Sequence, residues 1–243
     1  MANAFLTARW VNLCLCTFRV PPELLQPRLP PGLTLDLRDG HAFVSLVAFD
    51  FQDTRVLGVS WPGYRHFAEV NLRFYVRHDQ ERGVVFIREF VPQRLVAWMA
   101  LALYNEPYRA TPVAAHITES PDQITAEYRL TWKGKTNVVS VTGKKPAQTV
   151  AETSDEHFFK EHHWGFGTTR GGRALRYHVE HPVWEVYPVL AHRLDFDWGE
   201  VYGPEWKILD GQTPFSVVLA VGSPIAVMPK GALPATNDSA VKP

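Results

Sequence analysis

The sequence predicts a mostly β, α+β protein in which an antiparallel sheet curls into a barrel, accompanied by two or three helices. Three observations predict it. Short apolar or alternating runs recur along the chain, turn clusters stand at Arg38-Asp39-Gly40, Gly134 and Gly171-Gly172, and few stretches carry helix signals. At 243 residues the chain is within the range of about 200 to 250 that all-β and barrel folds use as one unit. A single domain is therefore expected over residues 1–228, with a disordered tail over 229–243 that begins at Pro229 and is rich in Pro, Gly and small polar residues.

The elements follow in order. Val11 to Cys16 is an apolar run in which a strand places Cys14 and Cys16 on one face, where they pack as small hydrophobes. A short helix is expected near Pro22 to Pro27. Ala42 to Phe51, rich in Phe and Val, reads as a buried strand. From Glu69 to Arg77 the alternation is clean: Val70, Leu72, Phe74 and Val76 share one face, and Glu69, Asn71, Arg73, Tyr75 and Arg77 the other. Pro92 suits a first helical position, Leu95 to Tyr104 has helix length, and Pro107 ends it. Ile124 to Trp132 and Thr136 to Thr142 alternate as strands. A helix from Asp155 to about Trp164 is announced by Thr153 three residues before Glu156, a capping-box spacing. Leu175 to His181 is a further strand, joined to the Glu161 to Thr168 region by a Gly171-Gly172 turn, and Phe215 to Val227 reads as a final strand pair.

Composition excludes several functions. The 25 basic and 25 acidic residues cancel and are scattered, so no footprint for nucleic acid or an anionic membrane is expected. No apolar run approaches a membrane span and no secretory leader is recognisable at the N-terminus, so a cytoplasmic protein is expected. Apolar residues make up 46% of the chain, with 14 Phe, 8 Trp and 8 Tyr, enough to line a large core or cavity. Gly165-Phe166-Gly167 and Gly171-Gly172 lack the spacing of a phosphate-cradling loop, so no nucleotide cofactor is expected. His162, His163, His178 and His181 cluster in sequence, but His178 and His181 at spacing three should face opposite sides of a strand, so no metal site is expected. The partner expected is a small-molecule ligand, with a homo-oligomer left open.

Several motifs in order carry a family resemblance. They are Pro21-Pro22-Glu23-Leu24-Leu25, Leu29-Pro30-Pro31-Gly32-Leu33, Gly40 to Val47, Phe67 to Val76, Gly83-Val84-Val85-Phe86, Phe159 to Gly165 and Val179 to Trp184. Together they resemble the uncharacterised YqjF-like family, a bacterial domain of unknown function, over about residues 5 to 228. That family in turn resembles acetoacetate decarboxylase, which implies a cone-like β-barrel with its active site inside. The decarboxylase forms a Schiff base through the first of two lysines after a proline. Here that proline corresponds to Pro107, and the lysine pair falls on Tyr108 and Arg109. A phenol cannot form an iminium, so the covalent chemistry implied by the resemblance is lost at this position. One pocket carboxylate of the decarboxylase corresponds to Glu69; the other aligns near Ser45 and is absent. Lys133, Lys135, Lys144 and Lys145 surround a turn and are read as solvated.

The candidate site joins Glu69 and Tyr108 as catalytic residues with Asn71, Arg73, Arg109, His162 and Trp184 as substrate-binding residues. Arg73 and Arg109 would fork a carboxylate, Glu69 would move a proton if burial lifts its pKa, and Tyr108 would donate to a developing oxyanion. His181-Pro182-Val183-Trp184 would mark a strand exit with an aromatic lid. The structural alternative is that Glu69 and Arg73, four apart on the same strand face, simply pair with neighbours to satisfy buried charge. Two functions follow. One is a lysine-independent enzyme acting on a small oxo or hydroxy acid, and the other is a non-catalytic binding module for an apolar or carboxylated metabolite.

Overall fold

The computed structural model describes residues 4–233. In chain order the elements are β1 (Leu6–Val20), α1 (Pro22–Leu25) continued by a 3₁₀ turn (Gln26–Arg28), β2 (Thr34–Leu35), β3 (Ala42–Val56), β4 (Phe67–His78), β5 (Glu81–Val91) and α2 (Arg94–Tyr104). Then come β6 (Tyr108–Ala110), β7 (Val113–Glu119), β8 (Gln123–Trp132), β9 (Lys135–Lys144), α3 (Asp155–Lys160), β10 (Trp164–Thr168) and β11 (Ala174–Glu180). The chain continues through β12 (Val186–Tyr187), β13 (Val189–Asp195), α4 (Trp198–Tyr202), a 3₁₀ segment (Pro204–Leu209), β14 (Ser216–Val227) and β15 (Gly231–Ala232).

Strands β14, β1, β3, β4, β5, β10 and β11 pair in that order, and β11 returns to β14 through Val179↔Val227 and Glu180↔Ala226. The sheet thus closes into a barrel-like ring, which removes its edges. Pairing is antiparallel apart from β5, which runs parallel to β10 and to β6. A second sheet, β13-β9-β8-β7, covers one side. Its β8–β9 hairpin turns through Lys133 and Gly134, both at positive φ, the backbone a two-residue hairpin needs.

Alternation divides each ring strand between two environments. Val70, Leu72, Phe74 and Val76 of β4, with Cys14 and Cys16 of β1, enter a core shared with Ile124, Tyr128, Val139 and Trp206 from the covering layer. Burial there pushes the Cys16 thiol up to about 12 and Cys14 well above its ordinary value, as expected of packed, unreactive thiols. Glu69, Asn71 and Arg73 point the other way, into the ring, beside Val47 and Phe49 of β3. Their register partners on β3 are Phe49, Val47 and Ser45.

Several expectations need correction. Helix α2 begins at Arg94 with Gln93 as its N-cap, so Pro92 lies outside it rather than at its first position. The N-cap of α3 is Ser154, whose Oγ accepts from the His157 N–H, and not Thr153; the helix ends at Lys160, because Trp164 already begins β10. Phe215 to Val227 gives one long strand, not two. Of the tail expected to be disordered, Gly231–Ala232 pairs with Leu175 and Arg176 of β11, while 234–243 lies outside the described residues. Helix α4, capped by Asp197 accepting from the Glu200 N–H, is too short to show a 3.6-residue period in the sequence.

Candidate functional site

The ring encloses a cavity of about 560 Å³ whose floor is polar and whose walls are aromatic and aliphatic. Glu69 and Asn71 come from β4, Glu89 from β5, Glu106 and Tyr108 from the exit of α2, and Tyr177 from β11. The exit is set by one residue. Asn105 caps α2 in the left-handed conformation, at φ 56°, and its side chain donates to the Thr168 carbonyl at 2.6 Å. The chain then turns Glu106 inward, and β6 lies parallel to β5 with Tyr108 in register with Glu89 and Arg109 with Phe90. Tyr108 therefore faces the cavity beside Glu89.

The floor holds three buried carboxyl groups, Glu69, Glu89 and Glu106, none more than 5% exposed. Tyr108 Oη donates to Glu69 Oε2 at 2.8 Å and Asn71 Nδ2 to Oε1 at 2.9 Å. Burial raises Glu69 to about 7 against the lowering effect of these two hydrogen bonds and of the Arg73 charge. Glu106 is raised by burial to about 8, opposed by a hydrogen bond from Tyr177 and assisted by the Glu69 charge. Burial, then the charges of Glu69 and Glu106, push Glu89 well above the usual carboxylate range. At neutral pH such a cluster shares protons instead of carrying three charges. Close packing maintains it: a Cβ at Gly165 would overlap the Tyr177 ring, so only glycine leaves that phenol its place.

The sequence singles out Glu69 but not Glu89, Glu106 or Tyr177. Glu89 on β5 and Glu106 between α2 and β6 add two carboxyl groups to the floor, whereas Ser45 is buried and hydrogen-bonded to Thr17, at 2.6 Å, and to Tyr75. An inward-facing Glu89 can be found only by fixing the pleat of β5, in which Arg88 turns outward to the Val201 carbonyl.

Arg73 and His162 bring hydrogen-bond donors to the same cavity. Arg73 Nη2 donates to the Phe159 carbonyl at 3.2 Å, while its Nε–H has no hydrogen-bond partner among the described residues. Arg82 Nη2 approaches His162 Nε2 at 3.4 Å, and since a guanidinium only donates, the histidine proton belongs on Nδ1, which is buried and also unpartnered. Burial and the charges of Arg73 and Arg82 keep His162 neutral, well below its ordinary pKa. Glu69 is held by its neighbours Tyr108 and Asn71, and Arg73 donates to the Phe159 carbonyl, so pairing with neighbours, the structural alternative, accounts for part of this buried charge.

Arg109 does not join the site. Alternation along β6 turns it away from the cavity; it is exposed, on the side of Arg88, whose pKa its charge helps to lower after burial. Of the two arginines expected to form a clamp, the structure places Arg73 at the cavity and Arg109 away from it. Trp184 does line the cavity, but as fixed wall and not as a lid: it is buried, its indole N–H donates to Ser223 Oγ at 2.8 Å and its backbone N–H to Glu161 Oε1 at 3.1 Å.

His178, His163, His181 and Trp184 form a ring stack, with centroids 5.9, 4.4 and 4.3 Å apart. Glu161, His163 and His181 place one ligand atom each within 4.8 Å of the others. However, the two imidazole planes are inclined by only 23°. In-plane lone pairs on stacked, nearly parallel rings do not converge on one ion at the 2.0–2.1 Å that zinc requires. Instead, His163 Nδ1 meets the Val179 carbonyl at 3.2 Å and His181 Nε2 the His162 carbonyl at 3.3 Å, tying the wall together. No lysine is among the described residues that line the cavity. Lys160, not considered from the sequence, is buried but paired with Glu161 behind the wall.

The chain matches the model of the DUF2071 family, described as an uncharacterized conserved protein, over residues 7–224. It is 29% identical over 100 residues to the uncharacterized protein YqjF of Bacillus subtilis (strain 168), a match that spans 41% of each chain. Among solved structures, an acetoacetate decarboxylase-like enzyme from Sphingomonas wittichii RW1 superposes with a TM-score of 0.65 at 13% identity, covering 97% of this chain and 95% of that one. The enduracididine biosynthesis enzyme MppR, complexed with pyruvate, gives 0.66 at 12% identity, covering 96% and 92%. At such identities the likeness is one of fold, the acetoacetate decarboxylase-like fold that the sequence motifs imply.

Proposed function

The chain belongs to the DUF2071 family of uncharacterized conserved proteins, and on that premise we propose that it binds an oxo or hydroxy acid and moves a proton on it without a Schiff base. The observation that carries this reading is the Glu69–Tyr108 hydrogen bond on a buried floor, with Glu69 raised to about 7. A carboxylate at that value is a useful base at neutral pH and a useful acid once protonated. Ionised Glu69 takes a proton from the carbon next to the ketone of an oxo acid, and the electron pair moves to the carbonyl oxygen. Once protonated, Glu69 no longer competes as an anionic acceptor for Tyr108, which then donates to the new enolate oxygen. The unpartnered Arg73 Nε–H and His162 Nδ1–H supply donors for the substrate carboxylate. That MppR has been observed with pyruvate is consistent with such a head group. The place of Tyr108 after Pro107, with no lysine among the described residues that line the cavity, supports a lysine-independent route. A cytoplasmic setting fits the two free thiols.

The test is exchange of the hydrogens next to the ketone of 2-oxobutanoate in D₂O, followed by proton NMR. Wild-type protein should accelerate exchange, and Glu69→Gln should lose at least about 100-fold of that acceleration with affinity within about tenfold. If the wild type binds the acid but exchange runs at the rate of free solution, the non-catalytic binding module replaces the enzyme.

A further inference from the structure

The cavity extends well beyond what the polar floor needs. Leu57, Val59, Trp61 and Leu95 line it and are at the same time 70%, 52%, 56% and 42% exposed. They mark a mouth where the loop after β3 meets α2. Between mouth and floor the walls include Trp10 and Phe49. An apolar shaft therefore runs from solvent to the Glu69 floor. Exposed apolar side chains around a concave site are what a hydrophobic ligand would cover. A ligand the size of pyruvate fills only the floor and leaves the shaft without contacts.

We propose that the ligand is an acid with a long apolar body, an alkyl or aryl oxo or hydroxy acid of about ten carbons, its head at Glu69 and Arg73 and its tail reaching the mouth. A cavity of about 560 Å³ is in the range that drug-sized ligands use. The head-group placement rests on the function proposed above; the apolar body rests on the shaft and the mouth. Each methylene moved from water into the shaft is worth about 0.8 kcal/mol, close to fourfold in affinity.

The experiment is isothermal titration of the full chain with 2-oxo acids from pyruvate to 2-oxododecanoate, below their aggregation concentrations. Dissociation constants should fall about three- to fourfold per methylene and level off near ten carbons. A flat series, or pyruvate binding as tightly as 2-oxodecanoate, overturns the inference and leaves the function above standing. Straight-chain alcohols of equal length form the second arm: if they bind as tightly as the acids, the carboxylate anchor fails while the apolar body stands. Leu57 is exposed and sits at φ 50°, which aspartate tolerates, so Leu57→Asp should keep its fold. That variant should weaken 2-oxodecanoate by at least fivefold and leave pyruvate unchanged. Equal weakening of both, or of neither, rejects Leu57 as the mouth and the inference with it.

Discussion

Glu106→Gln is expected to remove part of a loss of stability that the wild type suffers as pH rises. In the folded chain burial lifts Glu106 from an ordinary 4.5 to about 8. Between those values the unfolded chain has already released the proton while the folded chain retains it. The unfolded state thus binds fewer protons, and stability falls with increasing pH across this window, levelling off above about 8. For Glu106 acting alone the loss approaches about 5 kcal/mol, at 1.36 kcal/mol per pH unit. The proton is shared with Glu69 and Glu89, so a part of the loss remains when one group is neutralised. Glutamine has the shape of the protonated acid and still accepts from Tyr177. The variant should therefore gain at least about 2 kcal/mol over wild type between pH 4.5 and pH 8, or about 4 to 8 °C in melting temperature for a chain of this size. Urea unfolding of both proteins at the two pH values reads it directly. Parallel pH dependence of the two would refute the reasoning, because it would mean that water reaches the floor and Glu106 titrates as an ordinary carboxyl.

Two further outcomes separate the parts of the site. Arg73→Ala should weaken binding of a 2-oxo acid by about 10- to 100-fold, as expected for a lost charge-assisted hydrogen bond, whereas Arg109→Ala should change it by less than about twofold; calorimetric titration of both variants decides whether the anchor lies on β4 or β6. Gly165→Ala should cost about 1 to 3 kcal/mol of stability, because the Tyr177 ring has to be displaced from beside Glu106. Denaturant midpoints check this, and an unchanged midpoint would show that the floor is loosely packed.

Strand alternation was the part of this protein that the sequence carried most clearly. In Glu69 to Arg77 the two-residue period assigns Val70, Leu72, Phe74 and Val76 to one face and Glu69, Asn71, Arg73, Tyr75 and Arg77 to the other; the first set is core, and of the second Glu69, Asn71 and Arg73 line the cavity while Tyr75 packs with Phe43 and Phe159. Period alone cannot say which strands neighbour one another, so the parallel pairing of β5 with β6 and β10 was not legible. Nor was α4, whose single turn and a half is stabilised by Trp198, Val201 and Tyr202 packing into the core, a tertiary effect that leaves no local signal.

The site was half legible for a related reason. The segment around Pro107 borders the cavity, but which of its residues faces inward is decided by the left-handed turn at Asn105 and by the parallel register with β5. Those two features turn Glu106 and Tyr108 inward and Arg109 outward. A positive charge expected beside the substrate is thereby exchanged for a carboxyl group, and the electrostatics of the floor change with it. Three buried carboxyls with raised pKa values can hold and hand on protons, and Arg73 and neutral His162 retain free N–H groups for an anion. Under the function proposed above, the phenol, which cannot form an iminium, and the carboxyl cluster, which can hold and release protons, both favour proton transfer over covalent catalysis.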